Sequence, residues 1–234
     1  MDSPIVLVRR LLPSSLKESI KSHPNVANIL DALAHMKIRA ISPYNDLYAM
    51  LSPNEREYLF KLSLRNDPAD AIVEIGCYSG GSTYFLGKGA EKSSSIVYTI
   101  DPFDSDIAQQ IAEDDGSGYF SKKKKPSKEE VQKNMEAHGL EEIVKIIEGK
   151  SLDIAKEWKY PIGLLFIDGN HNQTFEDYFA WKSRLSPGAV VAIHDSNPNY
   201  PLALPAVKSA VERIRKLEAF KRVEFVDSIT TFFT

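Results

Sequence analysis

Residues 71–83, Ala-Ile-Val-Glu-Ile-Gly-Cys-Tyr-Ser-Gly-Gly-Ser-Thr, carry a short apolar strand straight into a glycine-bearing turn and a helix start. That is the layout of a cofactor loop at the edge of a parallel sheet. Ile72, Val73 and Ile75 are strand formers in a run of the kind that suits a central strand covered by helices on both faces. Glu74 breaks the run. A buried acid is costly without donors, so Glu74 is expected where the strand ends, accepting hydrogen bonds from turn amides or a ligand. Gly76 and Gly80 permit backbone conformations closed to other residues, and Ser82 or Thr83 is expected to cap the helix that follows. A dinucleotide fingerprint requires Gly-x-Gly-x-x-Gly, and a phosphate loop ends in Gly-Lys-Ser/Thr. Here Gly76 is followed by three residues and then Gly80-Gly81, so neither fits.

A chain of 234 residues, 43% hydrophobic, can bury one substantial α/β core with a small appendage. The formal net charge of −3 supplies no basic field, which argues against nucleic acid and in favour of a small-molecule partner. The single cysteine, Cys77, excludes an internal disulfide framework and a cysteine cluster for zinc, and fits a reducing, cytoplasmic setting. Ile5-Val6-Leu7-Val8 runs directly into Arg9-Arg10, too short an apolar run for a signal core or a membrane span. The apolar residues Ile5 to Leu12 could instead exchange between subunits of a homo-oligomer.

Residues 1–69 lack strand runs and read as an N-terminal helical cap; Ser52-Pro53-Asn54-Glu55 is a capping box that starts a helix through Leu64. From residue 70 to 234 the pattern alternates. Strands are expected at Ile72 to Ile75, Ile96 to Ile100, Ile143 to Ile147, Leu164 to Ile167 and Ala189 to Ile193, with helices between them, which implies a doubly wound parallel sheet. Arg222 to Val226 and Ile229 to Phe233 are separated only by Asp227-Ser228, and so short a link requires an antiparallel hairpin. Ser105 to Lys128 reads as a polar loop with a run of four lysines, either solvated surface or a lid over an anionic substrate.

Ligands of such sheets bind beyond the carboxyl ends of the strands, where this chain is polar. Asp101 follows the second strand and is placed to accept ribose hydroxyls, although it also starts a turn with Pro102. Glu148-Gly149-Lys150-Ser151 follows the third; Ser151 could offer its hydroxyl to an adenine ring or cap the helix Leu152 to Trp158. The fourth strand ends in Asp168-Gly169-Asn170-His171 and the fifth in His194-Asp195-Ser196-Asn197. Adjacent strands lie about 4.8 Å apart, so side chains from these two ends can converge on one ion or hydroxyl.

In this order, Glu74 to Ser82, Asp101, Gly149-Lys150-Ser151, Asp168 and Asp195 resemble the class I S-adenosylmethionine (SAM) dependent methyltransferases. The resemblance is to the Asp-Gly-x-His group, with catechol-type and macrolide-type O-methyltransferases as relatives, and it covers residues 71–234, including the Pro187-Gly188 turn before the fifth strand. It implies a Rossmann-like doubly wound seven-stranded sheet, five parallel strands plus a C-terminal antiparallel hairpin, with SAM as cofactor and a small-molecule hydroxyl as acceptor. Carried onto this chain, it implies that Glu74, Gly76, Tyr78 and Ser82 border the methionine end of SAM, with Asp101 at the ribose, Ser151 at the adenine and Asp168 beside the cofactor. It further implies a divalent cation such as Mg2+ with Asp168 and Asp195 as its first two ligands; Ser196 is the expected third, with Asn197 as a substitute or waters completing the shell. Ser196 stands where catechol-type enzymes place Asn, and Asn170 where some relatives place an acid.

The expected catalytic residues are His171, as general base, and Asp168. His194, closer to the strand interior, is expected to be buried and to orient Asp195. Tyr44, Tyr48, Phe103, Tyr119 and Tyr200 could line an acceptor pocket. Two other functions use the same signals: a SAM-binding module without transfer activity, marked by Asn170 and Ser196, and aminopropyl transfer, for which the further acids a polyamine needs are not evident.

Overall fold

The computed structural model describes residue 47 and residues 49–103 and 126–234. The bulk of the expected cap (residues 1–46 and Tyr48) and of the lysine-rich loop, with Tyr44 and Tyr119, lies outside the described residues.

Helix α1 (Pro53–Leu64) starts at the capping box read from the sequence: the Ser52 hydroxyl accepts from the Glu55 amide at 3.2 Å and the Glu55 carboxylate accepts from the Ser52 amide at 2.7 Å. It leads into strand β1 (Ala71–Ile75), helix α2 (Gly81–Ser93) and strand β2 (Val97–Asp101). Helix α3 (Lys128–Ala137), strand β3 (Val144–Glu148), helix α4 (Ser151–Glu157) and strand β4 (Ile162–Ile167) follow. Helix α5 (Thr174–Trp181), strand β5 (Leu185–Ile193), helix α6 (Pro205–Leu217) and strands β6 (Arg222–Val226) and β7 (Ile229–Phe233) complete the chain.

The seven strands form one sheet in the order β3-β2-β1-β4-β5-β7-β6. β1 to β5 are parallel, and β7 runs antiparallel to both β5 and β6, as expected. The strand side chains alternate between two buried layers. Val73, Ile75, Leu165, Ile167, Val191 and Ile193 point to one face, under α4, α5 and α6, where Trp158, Trp181 and Ile214 pack. Ile72, Leu164, Phe166 and Ala192 point to the other, under α1, α2 and α3, where Leu59, Tyr84, Leu86 and Met135 pack. Helices on both faces explain why β1 and β4 are buried along almost their whole length.

Boundaries shift by one residue at β2 and β3, and β4 begins two residues earlier than read. β5 differs more. It begins at Leu185 and includes Pro187-Gly188, which the sequence reads as a turn. Its pairing with β4 jumps from Ile162↔Leu185 to Leu164↔Val190, so the exposed Pro187-Gly188 segment is an irregularity within the strand, where a residue without an amide hydrogen costs no ladder bond. Because β7 opposes β5, the hairpin turn Asp227-Ser228 lies at the carboxyl end of β5. Among the described residues no helix is long and apolar enough to cross a membrane.

Helix α1 packs on α2 rather than standing apart, and their closest approach is at Gly89. A Cβ there would lie 2.5 Å from the Phe60 carbonyl oxygen and 2.7 Å from the Ser63 Cβ, while the Ser63 hydroxyl donates to the Leu86 carbonyl at 2.5 Å. Gly89→Ala must therefore push two helices apart. The expected loss of stability is about 2 kcal/mol, read as a lower urea midpoint at unchanged slope; an unaltered midpoint would show that the crossing tolerates a methyl group.

Candidate active site

The strand order reverses at β1, which has β2 on one side and β4 on the other, so a crevice opens beyond their carboxyl ends. Gly76 sits at its floor. Its amide donates to the Ile100 carbonyl at 2.8 Å, its φ is +89°, and a Cβ on it would lie 2.4 Å from the Asp168 carbonyl oxygen and 2.7 Å from the Gly169 Cα. The Asp168 amide in turn donates to the Ile75 carbonyl at 2.9 Å. Main chain touches main chain here, and glycine alone satisfies both the left-handed backbone and the contact.

The loop beyond Gly76 closes on itself and on β2. The Gly80 amide donates to the Cys77 carbonyl at 2.8 Å, and Tyr78 takes a positive φ of 47°. Asp101, 4% exposed, accepts from the Cys77 and Tyr78 amides at Oδ2, both at 3.2 Å, and from the Phe103 amide at Oδ1, 2.9 Å. The acid expected to meet a ribose thus also fastens the glycine loop.

Glu74 departs from expectation. It lies one residue inside β1, fully buried, and its Oε2 accepts from the hydroxyls of Thr83 at 2.5 Å and Thr99 at 2.7 Å rather than from turn amides. Register explains the second contact, since Glu74 pairs with Thr99 across β1 and β2. Helix α2 accordingly has Gly80 as its N-cap with no side-chain cap bond; Thr83 turns inward to the acid, and Ser82 also supplies it with a hydrogen bond. Burial pushes the Glu74 carboxyl up to about 7, an effect that the three hydroxyls only partly offset.

Ser151 corrects a second expectation. Its hydroxyl donates to Asp177 Oδ1 at 2.5 Å and accepts from the Trp181 indole nitrogen at 3.1 Å, so it is engaged with α5 and is not a helix cap. Lys150 is the N-cap of α4, and Ser151 is the first helical residue. Asp177 also accepts from Gln173 at 3.1 Å, and burial pushes its carboxyl up to about 6.

The ends of β4 and β5 converge as the sequence suggests, but on a different set of atoms. His194 is the hub. Its Nδ1 lies 3.1 Å from Asp168 Oδ1 and 3.3 Å from Asp195 Oδ2, and its Nε2 faces Glu55 Oε2 at 3.6 Å. Burial would lower the imidazole's pKa, yet Asp168, Asp195 and Glu55 together raise it well above its ordinary value. Asp195 and Glu55 respond in the opposite sense: burial would raise each carboxyl, and His194 with the surrounding donors brings both below the ordinary carboxylate value. His171, in a short 3₁₀ turn after β4, brings its Nε2 to 3.7 Å from Asp195 Oδ2. Asp195 takes a positive φ of 53°, and its amide donates to the Ser228 hydroxyl at 3.2 Å. A non-glycine residue held in that region marks a site where surrounding contacts fix the backbone.

Ser196 is not part of this set. It is fully buried, donating to the Ile193 carbonyl at 2.7 Å and accepting from the Thr230 amide at 3.0 Å, which ties β5 to β7. Asn197 is spent as well, donating to the Asp227 carbonyl at 2.6 Å and accepting from the Asn199 amide at 3.0 Å. An all-oxygen magnesium shell built from Asp168, Asp195 and Ser196 therefore does not fit. The donors that do gather are Asp168, His194 and Asp195, whose ligand atoms lie within 4.8 Å of one another. Of the aromatic residues read as an acceptor wall, Phe103 follows β2 in a left-handed conformation, and Tyr200 borders the Glu55, Asp227, His194 and Asp195 charges, with burial pushing its phenol up to about 12.

Sequence reading missed Glu55 as a site residue, since its place in a capping box already accounted for it. It also took His194 only as a support for Asp195, although adjacency to that acid was the available signal.

A protein-family model described as a methyltransferase domain matches residues 73–196, more than half of the chain. Among solved structures, the chain is similar to the O-methyltransferase TomG of Streptomyces achromogenes, involved in tomaymycin synthesis and crystallised with SAM. The identity is 19% and the TM-score 0.56, over 88% of this chain and 89% of that one. It is likewise similar to an O-methyltransferase of Bacillus cereus in complex with S-adenosylhomocysteine, at 20% identity and a TM-score of 0.55 over 86% and 90% of the two chains. A methyltransferase of Geobacter sulfurreducens matches at 19% identity and a TM-score of 0.57, over 100% of this chain and 96% of that one. At these identities the likeness shows a shared fold.

The buried Glu74 makes stability depend on pH. A carboxyl whose folded pKa rises from 4.5 to about 7 favours the fold when protonated, so its contribution is complete below about pH 4.5 and is lost as pH climbs through 7. Relative to Glu74→Gln, the wild type is expected to lose about 3 kcal/mol of unfolding free energy across that window. Urea denaturation of both proteins at pH 4.5 and pH 8 measures the difference; parallel pH profiles would contradict it.

Proposed function

The chain belongs to the methyltransferase-domain family, and from that premise we propose that it transfers the methyl group of SAM to a hydroxyl oxygen of a small-molecule acceptor. The reaction is in-line displacement. The acceptor oxygen forms a bond to the methyl carbon as the carbon–sulfur bond breaks, the bonding pair stays on sulfur to give S-adenosylhomocysteine, and the acceptor's proton passes to a base. The observation that carries the reading is the glycine loop at the point of strand reversal, pinned by Asp101 through two amides, with a cluster of acids and imidazoles on the neighbouring strand ends.

In this reading the loop from Gly76 to Gly81, with Tyr78 and Ser82, receives the methionine end of SAM. Glu74 acts from beneath through Ser82 and Thr83. Asp101, whose Oδ1 accepts from the Phe103 amide, is the acid that would meet the ribose hydroxyls. At the adenine, the main chain of α4 takes the part first read for the Ser151 hydroxyl, and the Asp177, Gln173 and Trp181 contacts hold that helix start in place.

Asp168 stands beside the sulfur end of the cofactor, opposite Gly76. His171 is the base: as neutral imidazole its Nε2 accepts the acceptor's proton, and Asp195, 3.7 Å away, stabilises the resulting cation. The protein's remaining contribution is proximity and alignment. The division into an N-terminal cap (1–69) and a methyltransferase domain (70–234) is part of this reading, and a cytoplasmic setting agrees with the single buried Cys77.

Calorimetry with SAM and S-adenosylhomocysteine, followed by methyl-transfer assays on a panel of catechols, phenols and sugar hydroxyls, tests the reading. Stoichiometric binding of both ligands and transfer to at least one oxygen acceptor are expected; failure to bind either ligand would sink it. His171→Ala is expected to lower kcat about 10²–10⁴-fold while leaving SAM affinity within a factor of two. An unchanged kcat would remove His171 as the base.

A further inference from the structure

We infer that Asn134, on α3, is a positioning residue for the methyl donor: its carboxamide fixes the Ser79-Gly80 peptide of the glycine loop, so that α3 sets the affinity for SAM. The inference rests on the proposed function for the identity of the ligand over the loop. The geometry of the loop stands apart from it.

The loop from Gly76 to Gly81 has two anchors of opposite kind. Asp101 accepts from the amides of Cys77 and Tyr78 near its start. Toward its far end the Asn134 side-chain amide donates to the Ser79 carbonyl at 3.1 Å, a contact across 55 positions of chain. The Gly80 amide, on the opposite edge of the same peptide unit, donates to the Cys77 carbonyl at 2.8 Å. A trans peptide is planar, with its carbonyl and its amide hydrogen pointing opposite ways, so holding both leaves the unit one orientation. That peptide leads directly into α2, whose N-cap is Gly80 and makes no side-chain cap bond. The first amides of a helix have no partner within it. In the proposed reading they meet the methionine carboxylate, and the Ser79-Gly80 peptide sets the direction in which they point.

Helix α3 is built to hold this contact. A Cβ on Gly80 would lie 3.0 Å from Met135 Cε and 3.2 Å from Val131 Cγ1, and both of those side chains are buried. Val131, Asn134 and Met135 fall at i, i+3 and i+4, on one face of the helix. Both ends of α3 are fastened. At its start the Ser127 hydroxyl accepts from the Glu130 amide at 3.3 Å, and the Glu130 carboxylate accepts from the Ser127 amide at 2.7 Å. At its end the His138 ring donates through Nδ1 to the Asn134 carbonyl at 2.7 Å and stands edge-on to Tyr84 of α2, with centroids 5.0 Å apart. The His138 carbonyl accepts from Lys88 of α2 at 2.9 Å.

Asparagine is a poor choice for a helix interior, because its carboxamide competes for backbone groups, and alanine would make the better helix. Here the carboxamide reaches outside its own helix to Ser79. Without that bond the peptide can turn, and the apparent affinity for the ligand falls in proportion to the fraction of loops left in the receiving orientation.

The test uses the full-length protein and compares the wild type with Asn134→Ala and with Gln132→Ala, a change on the exposed face of the same helix. Calorimetry with S-adenosylhomocysteine is expected to give a Kd about tenfold higher for Asn134→Ala, as the competent fraction falls to about one tenth. With the oxygen acceptor found in the panel above, KM for SAM should rise by the same factor while kcat stays within about twofold, because the bond acts equally before and during transfer. The urea midpoint should hold, since better helix propensity offsets the lost hydrogen bond, and Gln132→Ala should match the wild type throughout. Deuterium exchange at the Gly80 amide, followed by NMR in the ligand-free protein, reads the peptide itself and should be on the order of tenfold faster in Asn134→Ala. An unchanged Kd, a fall in kcat with KM unmoved, a urea midpoint lowered enough to account for the lost affinity, or Gly80 exchange equal to that of the wild type would overturn the inference. Absence of S-adenosylhomocysteine binding in the wild type would instead remove the proposed function, and the exchange rates would still decide whether Asn134 holds the loop.

Discussion

The contact on which the rest of the structure depends is the main-chain approach of Gly76 to Asp168 and Gly169. It joins the exits of β1 and β4 at the point where the sheet reverses direction, and it leaves no room for a side chain between them. Everything that faces the crevice is placed relative to that contact: the loop that Asp101 fastens on one side, and the Asp168 carboxylate, with His194 behind it, on the other. A methyl group at Gly76 would force those two halves apart, so the demand for glycine is chemical as much as conformational.

The C-terminal hairpin has a part in the site that its distance along the chain conceals. The Ser228 carbonyl accepts from the amides of Ser196 and Asn197, its hydroxyl from the Asp195 amide, and its own amide reaches Glu55 on α1. Asp227 accepts from Ser52 and Asn54 at its carboxylate and from Asn197 at its carbonyl. A two-residue turn therefore locks the end of β5, the start of α1 and the acids between them into one unit. That unit holds Asp195 in a left-handed conformation and aims its carboxylate at both histidines.

Much of this was legible in the sequence. Apolar runs bounded by turn residues gave the seven strands along the chain, and the two-residue link at Asp227-Ser228 gave the antiparallel hairpin. What failed to show were partnerships across the fold. Glu55 and Ser228 are 173 positions apart, and nothing local to a capping box announces a second duty for its acid. Ser151 stood where an adenine contact is expected, but its hydroxyl was claimed by Asp177 and Trp181 on the helix two elements later. Ser196 stands at a position that the resemblance gives to a ligand, but it lies beyond the end of β5, after the left-handed turn at Asp195, and its hydroxyl bridges the Ile193 carbonyl and the Thr230 amide at the β5–β7 seam. Position along a strand predicts which end a residue occupies; it does not predict which hydroxyls the core will consume.

In the proposed reading, Gly76, Asp101 and the start of α2 build the methyl-donor half of the site, and Asp168, His171, His194 and Asp195 the acceptor half. The most direct measurement is a crystal structure of the full-length protein grown with S-adenosylhomocysteine. The ligand is expected with its methionine end over the loop from Gly76 to Gly81, its ribose hydroxyls within hydrogen-bond distance of Asp101, and its sulfur facing the crevice between Asp168 and His171. A ligand bound away from the carboxyl edge of β1 and β4, or one that leaves Asp101 without contact, would contradict the account.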